Sequence, residues 1–347
     1  MSNFHFSRHY RQTRKILIVA NSFAGEGTPD ASISETHHPL VAELCEIFDH
    51  AGVEVSAIED STVEGMTSAV ELGVSRSVEL DNTYDAVVAV GGDGTVGAVA
   101  AVLARIGAGT AFHASTPAGS PVPPLLVIPG GTGNSFYKAI WGDMEWQDVA
   151  YKMLDGSPDS VGVRLIDLGW IDELNTTFIL GASVGIFRDI LMQATRMTSI
   201  PGRERYRQAA MEALNTFEPF EAEIRVDGST LAAGRFVLVA AGGARYRGGI
   251  LPVLPESDLS DGLLDICAVA AQSREDAITA LLQVAAGEHI GKPGIFYSKG
   301  SMAEIVSQEE LPFEHDGEAC SQVLHNCHLK VLRKAIPIVS PLLAIAE

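Results

Sequence analysis

The sequence predicts two domains, an α/β domain with a parallel sheet followed by a domain that is mostly β. Apolar strands, small-residue turns and helix-compatible segments alternate in the first 140 residues, whereas apolar runs of strand length dominate from about residue 160. We expect the first domain at 1–157 and the second at 158–334. The sequence is compatible with a C-terminal tail, about 335–347, that returns to the first domain.

The first domain contains three strand-turn-helix units. The first unit consists of residues 15–27 followed by the amphipathic helical segment 38–52. The second unit starts with residues 85–95, and the third with residues 125–140. Their turns read "NSFAGEG", "GGDGT" and "PGGTGN". The segment 107–124 is rich in Gly, Ala, Ser and Pro, which is typical of a surface loop.

The second domain is predicted from six apolar runs and two helical segments. The helices are expected at 203–217 and 274–287. The strands are expected at 163–171, 175–186, 221–228, 234–243, 262–270 and 327–333.

Composition excludes several classes of protein. A net charge of −20 argues against nucleic-acid binding and against constitutive adhesion to anionic lipid, except through the short basic segment 8–15. No run approaches the roughly 18–20 apolar residues of a membrane span, and the apolar stretch behind the basic segment is too short for a secretion signal. Four cysteines without a CxxC pair fit reduced thiols. We therefore expect a cytoplasmic protein.

Four potential zinc ligands lie close together near the C-terminus: Cys320, His325, Cys327 and His328. A structural zinc site usually shows two spaced pairs of ligands, which this segment lacks. Alternating residues of a β-strand are the preferred interpretation.

The glycine-rich turns predict a phosphate site. In a parallel sheet the carboxyl ends of the strands share one edge, so that unpaired N–H groups and helix N-termini converge there. Glycines let the backbone approach a phosphate chain, and two threonines offer hydroxyls; the candidates are Gly91, Gly92, Gly94, Thr95, Gly130, Gly131 and Thr132. Ordinary turn chemistry is the alternative explanation of these residues.

Two common nucleotide motifs do not fit. "GDGTVG" (92–97) satisfies GxGxxG, but the dinucleotide fingerprint expects an acid about 20 residues later, and no Asp or Glu occurs from Thr95 to Gly142. The Walker pattern GxxxxGK[ST] is absent from the sequence. Backbone amides and hydroxyls must therefore be the main phosphate ligands.

Four segments in order resemble the diacylglycerol kinase catalytic-domain family, which includes sphingosine kinases and bacterial lipid kinases. They are "VVAVGGDGTV" (87–96), "IPGGTGNSF" (128–136), "DGLLDICAV" (261–269) and "HDGE" (315–318). The resemblance implies an NAD kinase/phosphofructokinase-like α/β nucleotide domain, a β-sandwich lipid-binding domain and a cleft between them. It also implies transfer of the γ-phosphoryl group of MgATP to a lipid hydroxyl, a reaction that needs positioning and charge neutralisation.

The resemblance assigns roles in the first domain. Asn21 and Asn134 match nucleotide-contacting residues of the family. Asp93 is similar to an acid that organises Mg²⁺ and the acceptor hydroxyl and that in some members serves as the base. An acid beside phosphates is otherwise hard to explain, because it is repelled unless it holds a cation or takes a proton.

The resemblance also assigns roles in the second domain. Glu318 is the other candidate base, although Asp316-Gly317 predicts a tight hairpin that leaves Glu318 at an exposed strand start. Similarity to bacterial members suggests a structural Mg²⁺ held by Asp261 and the main-chain carbonyls of Asp258 and Leu263. An Asx-turn is the alternative for that loop.

The chain departs from the family pattern at three places. Gly97-Ala98 replaces an Asn-Glu pair, Ser22 replaces a proline, and Gly242 stands where many relatives have Asn. A lipid- or nucleotide-binding protein that has lost turnover is therefore kept as an alternative. An NAD kinase-like enzyme is a second alternative, disfavoured because the sequence contains no Asn-Glu dipeptide.

We therefore predict an ATP- and Mg²⁺-dependent lipid kinase. Diacylglycerol is the first expected acceptor, and a sphingoid base or polyprenol the second. The expected partners are the lipid alcohol and, transiently, a membrane surface, with a cytoplasmic location that is peripheral to the membrane during catalysis. Nucleic acid is not expected, and a homodimer is compatible with the sequence.

Overall fold

The computed structural model describes residues 13–21, 39–80, 82–108, 122–155, 160–200 and 202–342. Most of the basic segment 8–15, Ser22, most of the loop 107–124 and the end of the tail lie outside the described residues. The chain forms two compact units: unit 1 runs to Ile166 and resumes at Lys334, and unit 2 is Asp167–Arg333.

Unit 1 alternates strands and helices. In chain order its elements are β1 (Lys15–Asn21), α1 (Pro39–His50), β2 (Glu54–Asp60), α2 (Val63–Glu79), β3 (Ala86–Gly91), α3 (Asp93–Ala108), β4 (Leu125–Pro129), α4 (Ser135–Trp141) and α5 (Trp146–Asp155). Strand β5 (Gly162–Ile171) leaves unit 1, and the last strand of the chain, Leu324–Ser340, returns to it.

The sheet of unit 1 is parallel. β1 pairs with β2 and β3, β3 pairs with β4, and the returning strand joins β4 through Ile338 and Leu125. Every residue of β3 is buried, as expected for a parallel sheet with helices packed on it. Because β1, β3 and β4 are adjacent and parallel, the turns that follow them lie at one edge of the sheet.

Unit 2 is mainly β, and its described residues form three helices. Its further elements are β6 (Thr176–Phe178), β7 (Gly181–Gly185), α6 (Ile186–Arg196), α7 (Gly202–Thr216), β8 (Phe220–Val226), β9 (Ser229–Gly242), β10 (Leu264–Ala270), α8 (Arg274–Ala286), β11 (Ile295–Gly300), β12 (Met302–Leu311), β13 (Phe313–His315), β14 (Glu318–Ala319) and β15 (Leu324–Ser340).

The strands of unit 2 pair antiparallel in the order β14-β13-β7-β9-β8-β12-β15, and β10 pairs with β9 and β11. One continuous apolar core includes Phe236 of β9, Ile266 of β10 and Phe313 of β13. The long strand β9 is central because it pairs with β7, β8 and β10. It therefore fixes the position of β7 and, through β7, of the short strands β13 and β14.

The structure contains elements that the sequence did not lead us to expect. These are β2, α2, α5, α6, β11 and β12. Strand β6 lies within the predicted run 175–186, and β13 and β14 form the hairpin predicted at Asp316-Gly317. In α2 the buried side chains Met66, Val70 and Val74 recur at every fourth position, but two glycines and several β-branched residues weaken the helical signal. Helix α6 directly follows the apolar strand β7, so the two read together as one extended run.

No helix among the described residues has the length and apolar character that crossing a bilayer requires.

Candidate active site

Three strands end together at one edge of unit 1. Asn21 is the last residue of β1, one position beyond the pair Ala20–Val90, and Gly91 of β3 is in register with Pro129 of β4. The turns "GGDGT" and "GGTGN" therefore begin side by side. Asn21 has its own contact within the protein.

The two glycine turns touch each other through their backbones. A Cβ atom added at Gly131 would lie 2.4 Å from the Cα of Gly92, and the N–H of Gly130 donates to the carbonyl of Gly91 at 2.9 Å. No side chain fits at this crossing. The edge consequently presents peptide groups, which suits phosphate binding by N–H donors.

Asn134 closes the second turn on itself. Its Oδ1 accepts from the N–H of Gly131 at 2.9 Å, and its Nδ2 donates to the Gly131 carbonyl at 2.8 Å. Its backbone is left-handed, with φ 52°, a conformation that Asn tolerates better than most residues. Both ends of the side-chain amide therefore hold the turn in shape.

Asp93 ties the first turn to the second. It is the first residue of α3, and its carboxylate oxygens accept from the first two N–H groups of α4, those of Ser135 at 3.0 Å and Phe136 at 2.9 Å. These groups have no partner inside their own helix, so the carboxylate acts as a cap supplied from elsewhere in the chain. Each oxygen keeps a further lone pair with which it can accept another hydrogen bond or meet a cation.

The remaining candidates of unit 1 differ in exposure. Thr95 is buried, and its side chain lies against Gly91, whereas Thr132 is exposed. Gly94 and the departures Gly97 and Ala98 are half-buried. Of the two threonine hydroxyls, only that of Thr132 is open to a ligand approaching from solvent.

In unit 2 the "HDGE" segment forms a hairpin. β13 and β14 pair through His315 and Glu318, and the two turn residues have positive φ, 50° at Asp316 and 84° at Gly317. Positive φ at both central residues is the requirement of a type I′ turn. Glu318 is exposed at the start of β14, and within the described part of the chain no hydrogen bond or ion pair engages its carboxylate.

Asp316 anchors this hairpin. One carboxylate oxygen accepts from the N–H of Ile179 at 2.8 Å, and the other accepts from the N–H groups of Leu180 and Gly181 at 2.8 and 3.2 Å. Three consecutive amides leading into β7 therefore converge on one side chain. The hairpin that carries Glu318 is held to β7 both by strand pairing and by this carboxylate.

A second carboxylate, which the sequence analysis missed, lies inside the same hairpin. Glu314 is only 2% exposed; it accepts a hydrogen bond from the Ser183 hydroxyl and another from the Gly317 N–H at 3.1 Å. Arg247 is also buried, with its guanidinium packed over Gly181. Burial raises the pKa of the Glu314 carboxyl, and the Arg247 charge, the hydroxyl and the N–H oppose that rise. The signal in the sequence that could have identified Glu314 is an acidic residue in a short apolar strand, two positions before the aspartate of the turn.

The 256–265 loop contains the residues that the resemblance assigned to a structural metal. Asp258 Oδ1 accepts from the N–H and hydroxyl of Ser260, and Asp261 Oδ1 accepts from the N–H of Leu263, so that both form Asx-turns. The other oxygen of Asp261, Oδ2, lies 3.3 Å from the Lys299 ammonium. A dication on Asp261 Oδ2 would meet a positive charge in its own ligand sphere, so these residues as arranged do not fit a Mg²⁺ ion.

The histidines of the candidate zinc group have partners within unit 2. The Nδ1 atom of His328 contacts the Glu173 carboxylate, and Nδ1 of His325 lies 2.9 Å from the Glu309 carbonyl. Cys327 is fully buried in the apolar core. These contacts fit the strand interpretation of the segment.

Two family models together match most of the chain. Residues 15–165 match the diacylglycerol kinase catalytic domain, and residues 182–340 match the YegS C-terminal NAD kinase beta sandwich-like domain. The predicted fold class, an α/β domain followed by a β-sandwich domain, is thereby confirmed.

Curated relatives and solved structures agree with those models. The chain is 27% identical to a diacylglycerol kinase of Bacillus subtilis over 80% of this chain and 84% of the relative. It is 28% identical to one of Mycobacterium tuberculosis over 84% of each. A crystal structure of a diacylglycerol kinase from Bacillus anthracis aligns with a TM-score of 0.60 at 21% identity, covering 95% of this chain and 97% of the other.

Proposed function

The chain belongs to the diacylglycerol kinase catalytic-domain family and is a phosphotransferase with an alcohol acceptor; from this premise we propose that it transfers the γ-phosphoryl group of MgATP to the hydroxyl of a lipid. The magnesium ion is proposed to arrive with the nucleotide as part of the substrate. Diacylglycerol is the first acceptor we propose, because it is the substrate that the relatives' names carry.

The observation that carries the proposal is the backbone crossing of the two glycine turns at Gly92 and Gly131. A triphosphate is large and highly charged, and it is bound well where many N–H donors can approach it without intervening side chains. The N-terminus of α3 lies within the first turn and adds its partial positive charge. We assign this edge, with Asn21, Gly91, Gly94, Thr95, Gly130, Thr132 and Asn134, to the nucleotide phosphates. Thr132 would offer its exposed hydroxyl, and Thr95, whose side chain is buried, the backbone N–H of the first turn of α3.

Asp93 is assigned to the organisation of this edge. Its two hydrogen bonds to α4 hold the glycine turns together, and its remaining lone pairs can orient a water of hydrated Mg²⁺ or the acceptor hydroxyl. We therefore propose that the main role of Asp93 is to maintain the shape of the phosphate site.

Glu318 is assigned as the general base for the acceptor hydroxyl. A base needs a carboxylate that a substrate can reach and whose lone pairs are free. Glu318 is exposed at a strand start, and among the described residues no hydrogen bond or ion pair engages its carboxylate. Its hairpin is fixed by Asp316 and Glu314, so the carboxylate is presented from a rigid turn. This rigidity favours catalysis, because a base must be held within hydrogen-bond distance of the proton it takes.

A lipid acceptor requires contact with a membrane, and helix α7 offers a suitable surface. One face of this helix carries Arg203, Tyr206, Arg207 and Met211, with Tyr206 42% and Met211 58% exposed. Residues 186–216 hold five arginines against three acids in a chain of net charge −20. Basic and amphipathic side chains of this kind favour the interface of an anionic bilayer. We propose that the enzyme acts peripherally at the membrane through this face.

The function is tested by incubating the protein with γ-labelled ATP, Mg²⁺ and a panel of alcohols in mixed micelles: diacylglycerol, a sphingoid base, a polyprenol and, as the non-lipid control, NAD. We expect label in a lipid product, formed at least about a hundredfold more slowly when Glu318→Gln replaces the wild type. Label in NAD alone would establish the NAD kinase-like alternative. ATP binding without any labelled product would establish the alternative of a binding protein without turnover.

The membrane surface is tested by co-sedimentation with vesicles that contain anionic phospholipid. Replacing Tyr206 by Ser together with Arg203 by Gln should reduce binding about tenfold, since it removes one charge and one interfacial aromatic ring. Tyr151→Ser, at a tyrosine of α5 that is 57% exposed, is the matched control and should leave binding unchanged. Equal binding of both variants would exclude α7 as the surface.

A further inference from the structure

A lysine lies at the centre of the acidic loop of unit 2, residues 256–265. The Lys299 ammonium of β11 donates to the main-chain carbonyl of Glu256 at 2.7 Å and lies 3.3 Å from a carboxylate oxygen of both Asp261 and Asp265. With the Tyr297 hydroxyl these groups form what we call the Lys299 cluster: Glu256, Asp261, Asp265, Tyr297 and Lys299. One cation is thus surrounded by three oxygen atoms from two segments of the chain.

Asp265 is the member of the cluster that most needs a positive charge. Its side chain is fully buried, its Oδ1 accepts from the Tyr297 hydroxyl at 2.6 Å, and its Oδ2 faces the ammonium. A buried carboxylate is tolerated when it is hydrogen-bonded and paired with a cation.

The pairing is built into the sheet. Asp265 of β10 and Lys299 of β11 are directly opposite each other in the antiparallel register, and Tyr297 lies two residues before Lys299 on the same face of β11. The register of this strand pair therefore brings the lysine to the loop that follows Glu256.

The loop itself is fixed by internal contacts. The N–H of Gly262 donates to Asp167 Oδ2 at 2.6 Å, and Asp258 and Asp261 each hold an N–H two residues ahead. Asp261 therefore has one oxygen in an Asx-turn and the other on the ammonium. The carboxylate that the resemblance would give to a metal is already engaged at both oxygens.

We propose that the Lys299 ammonium is the resident cation of this loop, paired with Asp261, the carboxylate that the resemblance gives to a structural Mg²⁺, and that unit 2 keeps its structure without a bound divalent ion. Any Mg²⁺ requirement of catalysis then comes from the nucleotide. Without the lysine, three hard oxygen ligands would remain in this loop: Asp261 Oδ2, Asp265 Oδ2 and the Glu256 carbonyl. Mg²⁺ and Ca²⁺ prefer ligands of this kind.

The wild-type protein, free of nucleotide, provides the first test. Its thermal midpoint is measured after treatment with EDTA and again with millimolar MgCl₂ or CaCl₂. We expect the three midpoints to agree within about 1 °C, since no ion bound to the native state contributes. A midpoint that falls with EDTA and is restored by Mg²⁺ would overturn the proposal, whatever any variant does.

Lys299→Ala provides the second test. Removal of the ammonium leaves two carboxylates facing each other, one of them buried, and we expect the midpoint in EDTA to fall by about 10 °C. Added Mg²⁺ or Ca²⁺ should restore a large part of this loss in the variant and nothing in the wild type. Lys292→Ala is the matched control, an exposed lysine of the same unit, and should show neither effect.

A third variant separates loss of charge from loss of the side chain. Lys299→Arg keeps a positive charge at the loop, so its midpoint should be independent of divalent ions, as in the wild type. If Lys299→Ala is as insensitive to Mg²⁺ and Ca²⁺ as Lys299→Arg, the oxygen atoms of the cluster do not form a cation site and the proposal fails.

Discussion

Two turns of this enzyme each contain an aspartate whose carboxylate accepts hydrogen bonds from backbone N–H groups of another segment. In unit 1 the aspartate of "GGDGT", Asp93, holds two N–H groups of the neighbouring turn, and in unit 2 the aspartate of "HDGE", Asp316, holds three N–H groups before β7. Each carboxylate joins segments that are far apart in sequence. In both motifs the aspartate therefore determines the shape of its site.

The two turns differ in what surrounds the aspartate. Around Asp93 the chain has glycines, so that peptide groups are the dominant polar surface. Around Asp316 the chain buries Glu314 and Arg247 and leaves Glu318 exposed. Under the roles proposed above, the phosphate site is formed by the absence of side chains, whereas the site for proton transfer is formed by fixed side chains around one reactive group.

The largest expected effect is that of Glu318→Gln. The substitution keeps the size of an exposed side chain and removes the base, so we expect kcat to fall by about 10²–10⁴-fold. The thermal midpoint should remain that of the wild type. Steady-state kinetics and thermal unfolding are the two measurements, and a variant with normal kcat would contradict the assignment of Glu318 as base.

Asp316→Asn should weaken the fold more than any other single change in the two turns. Asparagine tolerates the left-handed backbone but offers one acceptor oxygen without charge to three N–H groups, so we expect a loss of about 2–4 kcal/mol in the free energy of unfolding. Asp93→Asn, which faces two N–H groups, should lose about 1–2 kcal/mol. Urea denaturation measures both, and equal losses would break the comparison between the two aspartates.

Gly131→Ala tests the backbone crossing in unit 1. The added methyl group would lie 2.4 Å from the Gly92 Cα, so the turns must separate, with an expected loss of about 1–3 kcal/mol in the free energy of unfolding. We expect ATP to bind at least about tenfold more weakly, an effect of about 1.4 kcal/mol.

Gly73→Ala is the matched control for this glycine substitution. It places a methyl group in helix α2 with only Leu17 Cδ2 nearby, at 3.9 Å, and should stabilise unit 1 by about 0.5–1 kcal/mol. ATP affinity should not change in this control. Unchanged ATP affinity in Gly131→Ala would show that the crossing does not shape the phosphate site.

The smallest expected effect is the pH dependence that Glu314 contributes. Because burial raises its pKa in the folded state, the folded protein holds this proton over a pH range in which the unfolded chain has lost it. The contribution of Glu314 to stability therefore falls as the pH rises from the ordinary glutamate pKa of about 4.3 through the folded value. Relative to Glu314→Gln, the wild type should lose stability across this range.

Urea denaturation at a series of pH values measures this difference. Glu310→Gln, at an exposed position of β12, is the control and should parallel the wild type. A stability difference between wild type and Glu314→Gln that grows with rising pH would show instead that the Arg247 charge holds Glu314 ionised.

Much of the fold could be predicted because it depends on local pattern. The amphipathic segment predicted at 38–52 is α1 (Pro39–His50), and the helices predicted at 203–217 and 274–287 are α7 (Gly202–Thr216) and α8 (Arg274–Ala286). In α1 the buried residues Val41, Leu44 and Phe48 recur on one face, and in α7 and α8 no proline or glycine interrupts the helix after its first residue. Helix α6 was missed because only Gly185 separates it from an apolar strand. Strand β2 was missed because its exposed residues give no clear alternation.

The sequence by itself determined that glycine-rich turns follow buried parallel strands, that a tight hairpin precedes Glu318, and that the motifs resemble those of a kinase family. These features are read from spacing within short segments. Tertiary structure alone decided that Gly92 and Gly131 touch, that Asp93 caps α4, that Glu314 is buried beside Ser183, and that Lys299 reaches Asp261 and Asp265. The physical reason is that each of these contacts joins residues from separate elements, whose distance depends on strand order and register and leaves no trace in local periodicity.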